Sequence, residues 1–479
     1  MQEYKLFLAG EWTAAESGCV KEDLNPADGS VFAKVHFAGP AEIETAISKA
    51  VEAQKEWAAL LPEVREAVLL KAADHLAANM ESFAGRLIKE SGSAFMKTMG
   101  ELEECVNIFR VAAGECRRVD GALYPSDIPG QVSAFVPQPL GVVLGIGPFN
   151  YPVLLTLNKV APAIAVGNSF ILKPSSDTPV TGLMIAECLE AAGLPKGVFS
   201  VLPMSSDLAE TVIADERVKM VAFTGSTAAG KKIAVKAAEN LTKCALEMGG
   251  KNPVVVLKDF DIAKAVDICA FSGYFHQGQI CMAGGRVIVE EPIYDAFCEA
   301  LKTKAEGVKV GPPEDPQTII GPLIHEEKCS FIDGLIEDAV SKGAKVLAGG
   351  THEGAYYAPT VVADVTTDMR IFYEECFGPV IGVAKAKDEA DALRLCNDNA
   401  YGLSAALLTN DITKALTIAP QMEAGMVHIN DSTVMGSRRA PFGGVKQSGM
   451  GREDSTFSVD EFTEKKWITI QYGNREYPL

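Results

Sequence analysis

Cysteine is present but unorganised. Eleven are scattered along 479 residues, and no two form a CxxC pair. That excludes the regular cysteine spacing of a disulfide-stapled domain or a zinc ribbon. The six histidines show no ligand spacing such as HExxH, so no metal is expected. No run of 18 or more uncharged apolar residues occurs, so no transmembrane helix is expected. The first residues, Met1-Gln2-Glu3-Tyr4-Lys5, lack a basic stretch followed by an apolar one, so no secretory signal is expected. Positive charge is also short, with 44 Lys and Arg against 63 Asp and Glu, a formal net charge of -19. Such a surface repels phosphate backbones and anionic leaflets, which argues against nucleic acid or membrane as main partners. A dinucleotide is still allowed, because local backbone dipoles bind phosphate even in an acidic protein. The expected setting is the reducing cytoplasm, with most cysteines acting as small buried core residues.

What remains is an ordinary globular balance, 48% hydrophobic and 22% charged. The length is too great for one core and predicts two or three domains. Residues 5–12, KLFLAGEW, read as a hairpin. From Pro40 to Gly92 the apolar spacing is helical, Gly92 is a plausible stop, and more helix runs to about Arg118. Residues 121–141 are rich in Gly and Pro, with an extended run at QVSAFV, and read as an arm. From 141 to 260, strand-like runs (GVVLGIG, SFILKP, VFSVL, KMVAFTG, NPVVVL) alternate with helical stretches. The rhythm resumes from 262 to 430 with RVIVE, KVLAG, VIGVAK and MVHIN. That is the βαβ pattern of two α/β domains in series. The tail from 461 ends in an extended run suited to pairing with a sheet edge.

Seven segments carry groups that chemistry could use. In FHQGQICMAGGR (275–286), Cys281 lies between glycine-containing turns; it reads either as an activated thiol or as a buried loop cysteine. In LEMGGKNP (246–253), Glu247 reads as a general base or as a surface carboxylate. In GPFNYP (147–152), Asn150 follows a strand directly, where parallel sheets gather ligands. It reads as an oxyanion donor or as a turn residue. FTGSTAAGKKI (223–233) leads a strand through a Gly-Ser turn into a helix and suits a pyrophosphate, though it is neither GxGxxG nor a P-loop. In ILKPSSDTP (171–179), Lys173 ends a strand within reach of a ribose or phosphate, or is solvated. EECFGPV (374–380) and APFGGVKQSGMGRE (440–453) are Gly- and Pro-rich loops with a charged residue nearby.

Taken in order, PFNYP, KPS, FTGST, EMGGKNP, GQIC, EECFGP and PFGGVKQSGMGRE resemble the aldehyde dehydrogenase superfamily, over nearly the whole chain. The resemblance implies an α/β fold with a Rossmann-like cofactor domain (1–121 and 142–248) and a catalytic α/β domain (249–440). It also implies an oligomerisation arm (122–141 and 461–479) and a loop returning to the cofactor domain (441–460). It implies a homodimer or homotetramer.

The resemblance further implies roles. Cys281 is the nucleophile, Asn150 the oxyanion donor beside the Cys281 backbone N–H, and Glu247 the base that hydrolyses the thioester. Lys173, Ser176, Gly225, Ser226, Gly230, Glu375 and Phe377 are expected at the cofactor. Tyr151, Leu155, Ile280, Met282 and Phe442 are expected along the aldehyde tunnel, an apolar lining for a hydrophobic aldehyde. The close of the sequence resembles the benzaldehyde and vanillin dehydrogenase branch, which implies a small aromatic aldehyde as partner. Alternatives are a semialdehyde or a glyceraldehyde/lactaldehyde-type dehydrogenase, or a non-catalytic homologue that would have lost Cys281, Glu247 or Asn150. Arg438 and Arg439 would serve an anionic semialdehyde, or are solvated loop charges. Glu247 also argues against an acyl-transferring relative, in which water must not reach the thioester. Ser176 stands where NAD-preferring members have Glu. A carboxylate there would repel a 2′-phosphate, so NADP is expected beside NAD. Asp177 next door is a candidate to restore the NAD contact.

Overall fold

The structure is a computed structural model, and it describes residues 2–479. Two large sheets divide the chain. The first has eight strands. From edge to edge they are Gly449–Met450, Lys243–Met248, Val218–Gly225, Val142–Ile146, Ser169–Lys173, Phe199–Val201, Leu6–Leu8 and Glu11–Thr13. Its five central strands are parallel. They are almost wholly buried, as strands covered on both faces must be. The expected N-terminal hairpin forms and extends one edge.

The chain first runs outward from Val142–Ile146 to Phe199–Val201, then crosses back to build the other side with Val218–Gly225. That reversal is a topological switch point. It opens a crevice outside the carboxyl ends of the strands.

The second sheet has seven strands, in the order Lys345–Ala348, Thr360–Ala363, Val380–Ala386, Arg286–Glu290, Pro253–Val256, Ser404–Leu408 and Met426–Ile429. All are parallel except the first pair. Four strands of these two sheets were not anticipated: Lys243–Met248, Thr360–Ala363, Ser404–Leu408 and the two-residue Gly449–Met450. The sequences KCALEM and SAALL are rich in helix formers, and burial between neighbouring strands overrides that local preference.

The helical region resolves into Pro40–Ala59, Pro62–Ala78, Met80–Ser91 and Phe95–Glu115. The third of these stops at Gly92 in the left-handed conformation (φ 66°). Residues 122–124, 131–139 and 463–471 form a separate three-stranded sheet. Its last two strands pair from Gln131↔Gln471 to Pro139↔Thr463. Among the described residues no helix is long and apolar enough to cross a membrane.

Candidate active site

The two sheets meet at opposite ends. Loops leaving the carboxyl ends of the first sheet carry Asn150, Lys173 to Asp177, and Gly225 with Ser226. Segments entering the amino ends of the second carry Gly249, Cys281 and Glu375 to Phe377. All of these border one cleft of about 470 Å3, the size of a ligand site.

Cys281 is half-buried in the cleft. Burial, then the Glu375 and Glu247 carboxylates, push its thiol up to about 12. Glu247 closes the strand Lys243–Met248 and is 4% exposed. Neither of its carboxylate oxygens has a hydrogen-bond partner among the described residues. Burial and the nearby Glu453 carboxylate raise its pKa well above the ordinary range, against the opposing charges of Lys159 and Arg452. A buried carboxylate with unused lone pairs is poised to accept a proton. Lys159 Nζ lies 2.6 Å from Glu453, a charge contact whose angles do not make a hydrogen bond.

Asn150 is buried, and its Nδ2 donates to the Gln279 carbonyl at 2.7 Å. That leaves the second amide N–H uncommitted. Glu375 Oε1 accepts from the Gly250 N–H at 3.1 Å, and burial pushes the Glu375 carboxyl up to about 7. Phe377 has a left-handed backbone (φ 49°) and meets Phe149 edge-on at 5.7 Å.

The remaining residues fit a dinucleotide. Lys173 is buried at a strand end, and its Nζ makes one long contact, 3.4 Å to the Pro174 carbonyl. That leaves donors free in the cleft, where an isolated ammonium is costly to bury. Gly225 and Ser226 open the twelve-residue helix Thr227–Ala238, and Ser226 caps it by accepting from Ala229 N at 3.3 Å. The remaining free N–H groups of that helix suit a phosphate.

Several expectations change. Gly230 does not border the cleft. A Cβ there would sit 2.3 Å from Met248 Sδ, so this glycine lets the helix approach the neighbouring strand rather than the cofactor. Of the tunnel residues, Leu155 lines the cleft, whereas Tyr151, Ile280, Met282 and Phe442 do not. Tyr151 packs edge-on against His276 at 5.2 Å, Ile280 is buried, and Phe442 borders a separate cavity. Arg438 is neither solvated nor free for a substrate. Its Nη1 donates to Asn158 Oδ1 and Asp454 Oδ1, both at 2.9 Å, and its Nε lies 3.2 Å from Glu104. Arg439 is exposed. Asp177 is engaged by His325 Nε2 at 3.0 Å rather than free for a ribose.

Lys328 and Phe331 also line the cleft, and Lys97, Glu101 and His276 stand behind Asn150. Sequence reasoning missed all five. The spacing of Lys97 and Glu101 was a visible signal, but an i,i+4 pair on a helix reads as a solvated one.

The sequence pattern of the Aldehyde dehydrogenase family matches residues 12–468. This chain belongs to the aldehyde dehydrogenase family. It is an oxidoreductase that acts on an aldehyde with a nicotinamide cofactor. The aldehyde dehydrogenase is 38% identical to a vanillin dehydrogenase of Pseudomonas fluorescens, over the full length of both chains. It is also 38% identical to a benzaldehyde dehydrogenase [NAD(+)] of Pseudomonas putida, covering 99% of this chain and 98% of the relative. The crystal structure of a salicylaldehyde dehydrogenase from Pseudomonas putida G7, complexed with salicylaldehyde, matches its fold with a TM-score of 0.98. That match has 37% identity and covers 100% of both chains.

Proposed function

We propose that this aldehyde dehydrogenase oxidises an aromatic aldehyde to its carboxylic acid, with Cys281 as the covalent nucleophile. The observation that carries the reading is the convergence of Cys281, Asn150 and the unpartnered Glu247 on one cleft.

The Cys281 thiol gives up its proton to solvent as its sulfur bonds to the carbonyl carbon, and the carbonyl π electrons move onto oxygen. The free Asn150 N–H and the Cys281 backbone N–H receive that oxyanion. When bound, the nicotinamide would supply an acceptor for the hydride of the resulting tetrahedral carbon. A thioester then remains on Cys281. Glu247 takes a proton from water, whose oxygen adds to the thioester carbon; the C–S bond breaks and the acid leaves. Lys173, Gly225, Ser226 and Glu375 hold the cofactor.

The aromatic assignment is supported by the apolar lining of Phe149, Leu155 and Phe377, together with the names of the relatives. The engagement of Arg438 with Asp454 and Glu104 argues against an anionic semialdehyde. Ser176 is exposed at the cleft rim with no carboxylate of its own, which supports NADP use alongside NAD. Trp467 and Ile470 stand exposed on the strand 463–471, which supports a homodimer or homotetramer through that sheet. All 11 cysteines are free, which supports a reducing cytoplasm.

The test uses benzaldehyde with NAD and with NADP. Wild type should reduce cofactor, and Cys281→Ala should not. Glu247→Gln should give a single burst of about one reduced cofactor per subunit and then stall as the acyl-enzyme. Full activity in Cys281→Ala would overturn the covalent reading.

A further inference from the structure

Two non-glycine residues with left-handed backbones stand in a row shortly before Cys281: His276 (φ 49°) and Gln277 (φ 55°). Side chains bearing a Cβ adopt that conformation where their surroundings impose it, and such strain clusters at functional sites. Here the imposing contacts are visible. His276 Nε2 donates to the backbone carbonyl of Asn150 at 2.8 Å. The Asn150 side chain donates back to Gln279 O at 2.7 Å. Gln277 Nε2 donates to Gly92 O at 3.2 Å and Pro322 O at 3.0 Å. A carbonyl only accepts, so Nε2 of His276 carries the proton. Burial, then the nearby Lys97 ammonium, push the ring far towards its neutral form.

The same Asn150 carbonyl receives a second donor, Lys97 Nζ at 2.7 Å. Lys97 is buried on the helix Phe95–Glu115 and is paired with the buried Glu101. Glu101 Oε1 in turn accepts from the N–H groups of Val153 at 3.0 Å and Leu154 at 3.1 Å, at the start of the helix that follows Asn150. The Asn150 loop is therefore held from behind by one helix and from the side by the segment that carries Cys281.

The two oxyanion donors come from different parts of the chain. Asn150 leaves the first sheet, and Cys281 enters the second. Nothing in either sheet alone fixes the distance between them. We propose that Lys97 and His276 are positioning residues. By pinning the Asn150 carbonyl, they set the spacing between the Asn150 amide and the Cys281 backbone N–H. This rests on the reading of Asn150 as an oxyanion donor. Neither residue touches the aldehyde, and each acts through Asn150.

The experiment is a double-mutant cycle on the full-length protein with benzaldehyde and saturating NAD. His276→Leu and Lys97→Met are each made alone and in an Asn150→Ala background. Each single variant should lower kcat about 10- to 100-fold, the scale of a small misplacement of a catalytic group. KM for the aldehyde should change by less than about threefold. His276→Gln, which restores a donor, should recover most of kcat. In the Asn150→Ala background the same changes should lower kcat by less than about twofold, because their route of action is already gone. Losses that multiply in full in that background would overturn the proposal, as would wild-type kcat in both single variants. Where one variant loses its cooperative thermal transition, the other carries the test. Unfolding of both would overturn it as well, since the role would then be structural. An Asn150→Ala protein with wild-type kcat would instead sink the oxyanion reading itself.

Discussion

The Glu375 carboxylate lies against the backbone of Gly249: a Cβ added at Gly249 would sit 2.4 Å from Oε2 and 2.7 Å from Oε1. No real Cβ makes such a contact. The glycine is what allows this carboxylate its present position, because any side chain there must shift it.

Gly249→Ala should therefore displace Glu375 and weaken cofactor binding. Losing one hydrogen bond to a charged group is worth about 1.5 kcal/mol, roughly tenfold in Kd. Fluorescence titration with NAD measures it. An unchanged Kd would mean that Glu375 does not hold the cofactor.

The second prediction concerns pH. Glu247 accepts a proton only when ionised, and burial with the Glu453 carboxylate raises its pKa. The active form is thus the deprotonated one, and it gains population as pH rises. Deacylation, measured by single turnover, should speed up with pH, with an inflection well above the ordinary Glu value of about 4.3. Glu247→Gln should be slow and flat across the same range. A wild-type rate that is flat from about pH 5 to about pH 9 would remove Glu247 from the role of base.

On the proposed cofactor placement, Ser176→Glu puts a carboxylate beside the 2′ position of the ribose. The NAD/NADP ratio of kcat/KM should rise by about tenfold, or roughly 1.4 kcal/mol. Steady-state kinetics with both cofactors decide it. An unchanged ratio would show that Ser176 does not face the ribose.

Arg438→Met removes the partner of the buried Asp454, whose carboxyl burial already pushes up to about 6 against the pull of Arg438. Stability should fall by about 1–3 kcal/mol, the cost of leaving a buried polar group unpaired. Chemical denaturation measures that loss. The preference for benzaldehyde over an anionic semialdehyde should not move. A selective loss of semialdehyde turnover would return Arg438 to the substrate site.

The fold was largely legible because each element carries its own periodicity. The Pro40 to Gly92 helices, the strands GVVLGIG and SFILKP, and the terminal strand all stand where apolar spacing puts them. KCALEM was not legible, although it carries Glu247. Its residues prefer helix locally, and only pairing with Val218–Gly225 on one side and Gly449–Met450 on the other makes it a strand.

The site was legible as a set of motifs but not as an arrangement. Gly230 sits in the right motif, yet its close neighbour is Met248. Arg438 read either as a substrate cation or as a solvated loop charge, and Asn158, Asp454 and Glu104 claim it instead.

By itself the sequence determined which groups exist and which local structure delivers them: a thiol, a carboxylate and an amide at the ends of strands. Those are consequences of short-range sterics and apolar spacing. Tertiary structure alone decided their chemistry. The charge of Glu453 acts on Glu247, and the charges of Glu375 and Glu247 act on the thiol of Cys281. Asn150 meets Lys97 and His276. Burial and charge act through space, and each of these partners is brought in from a distant part of the chain.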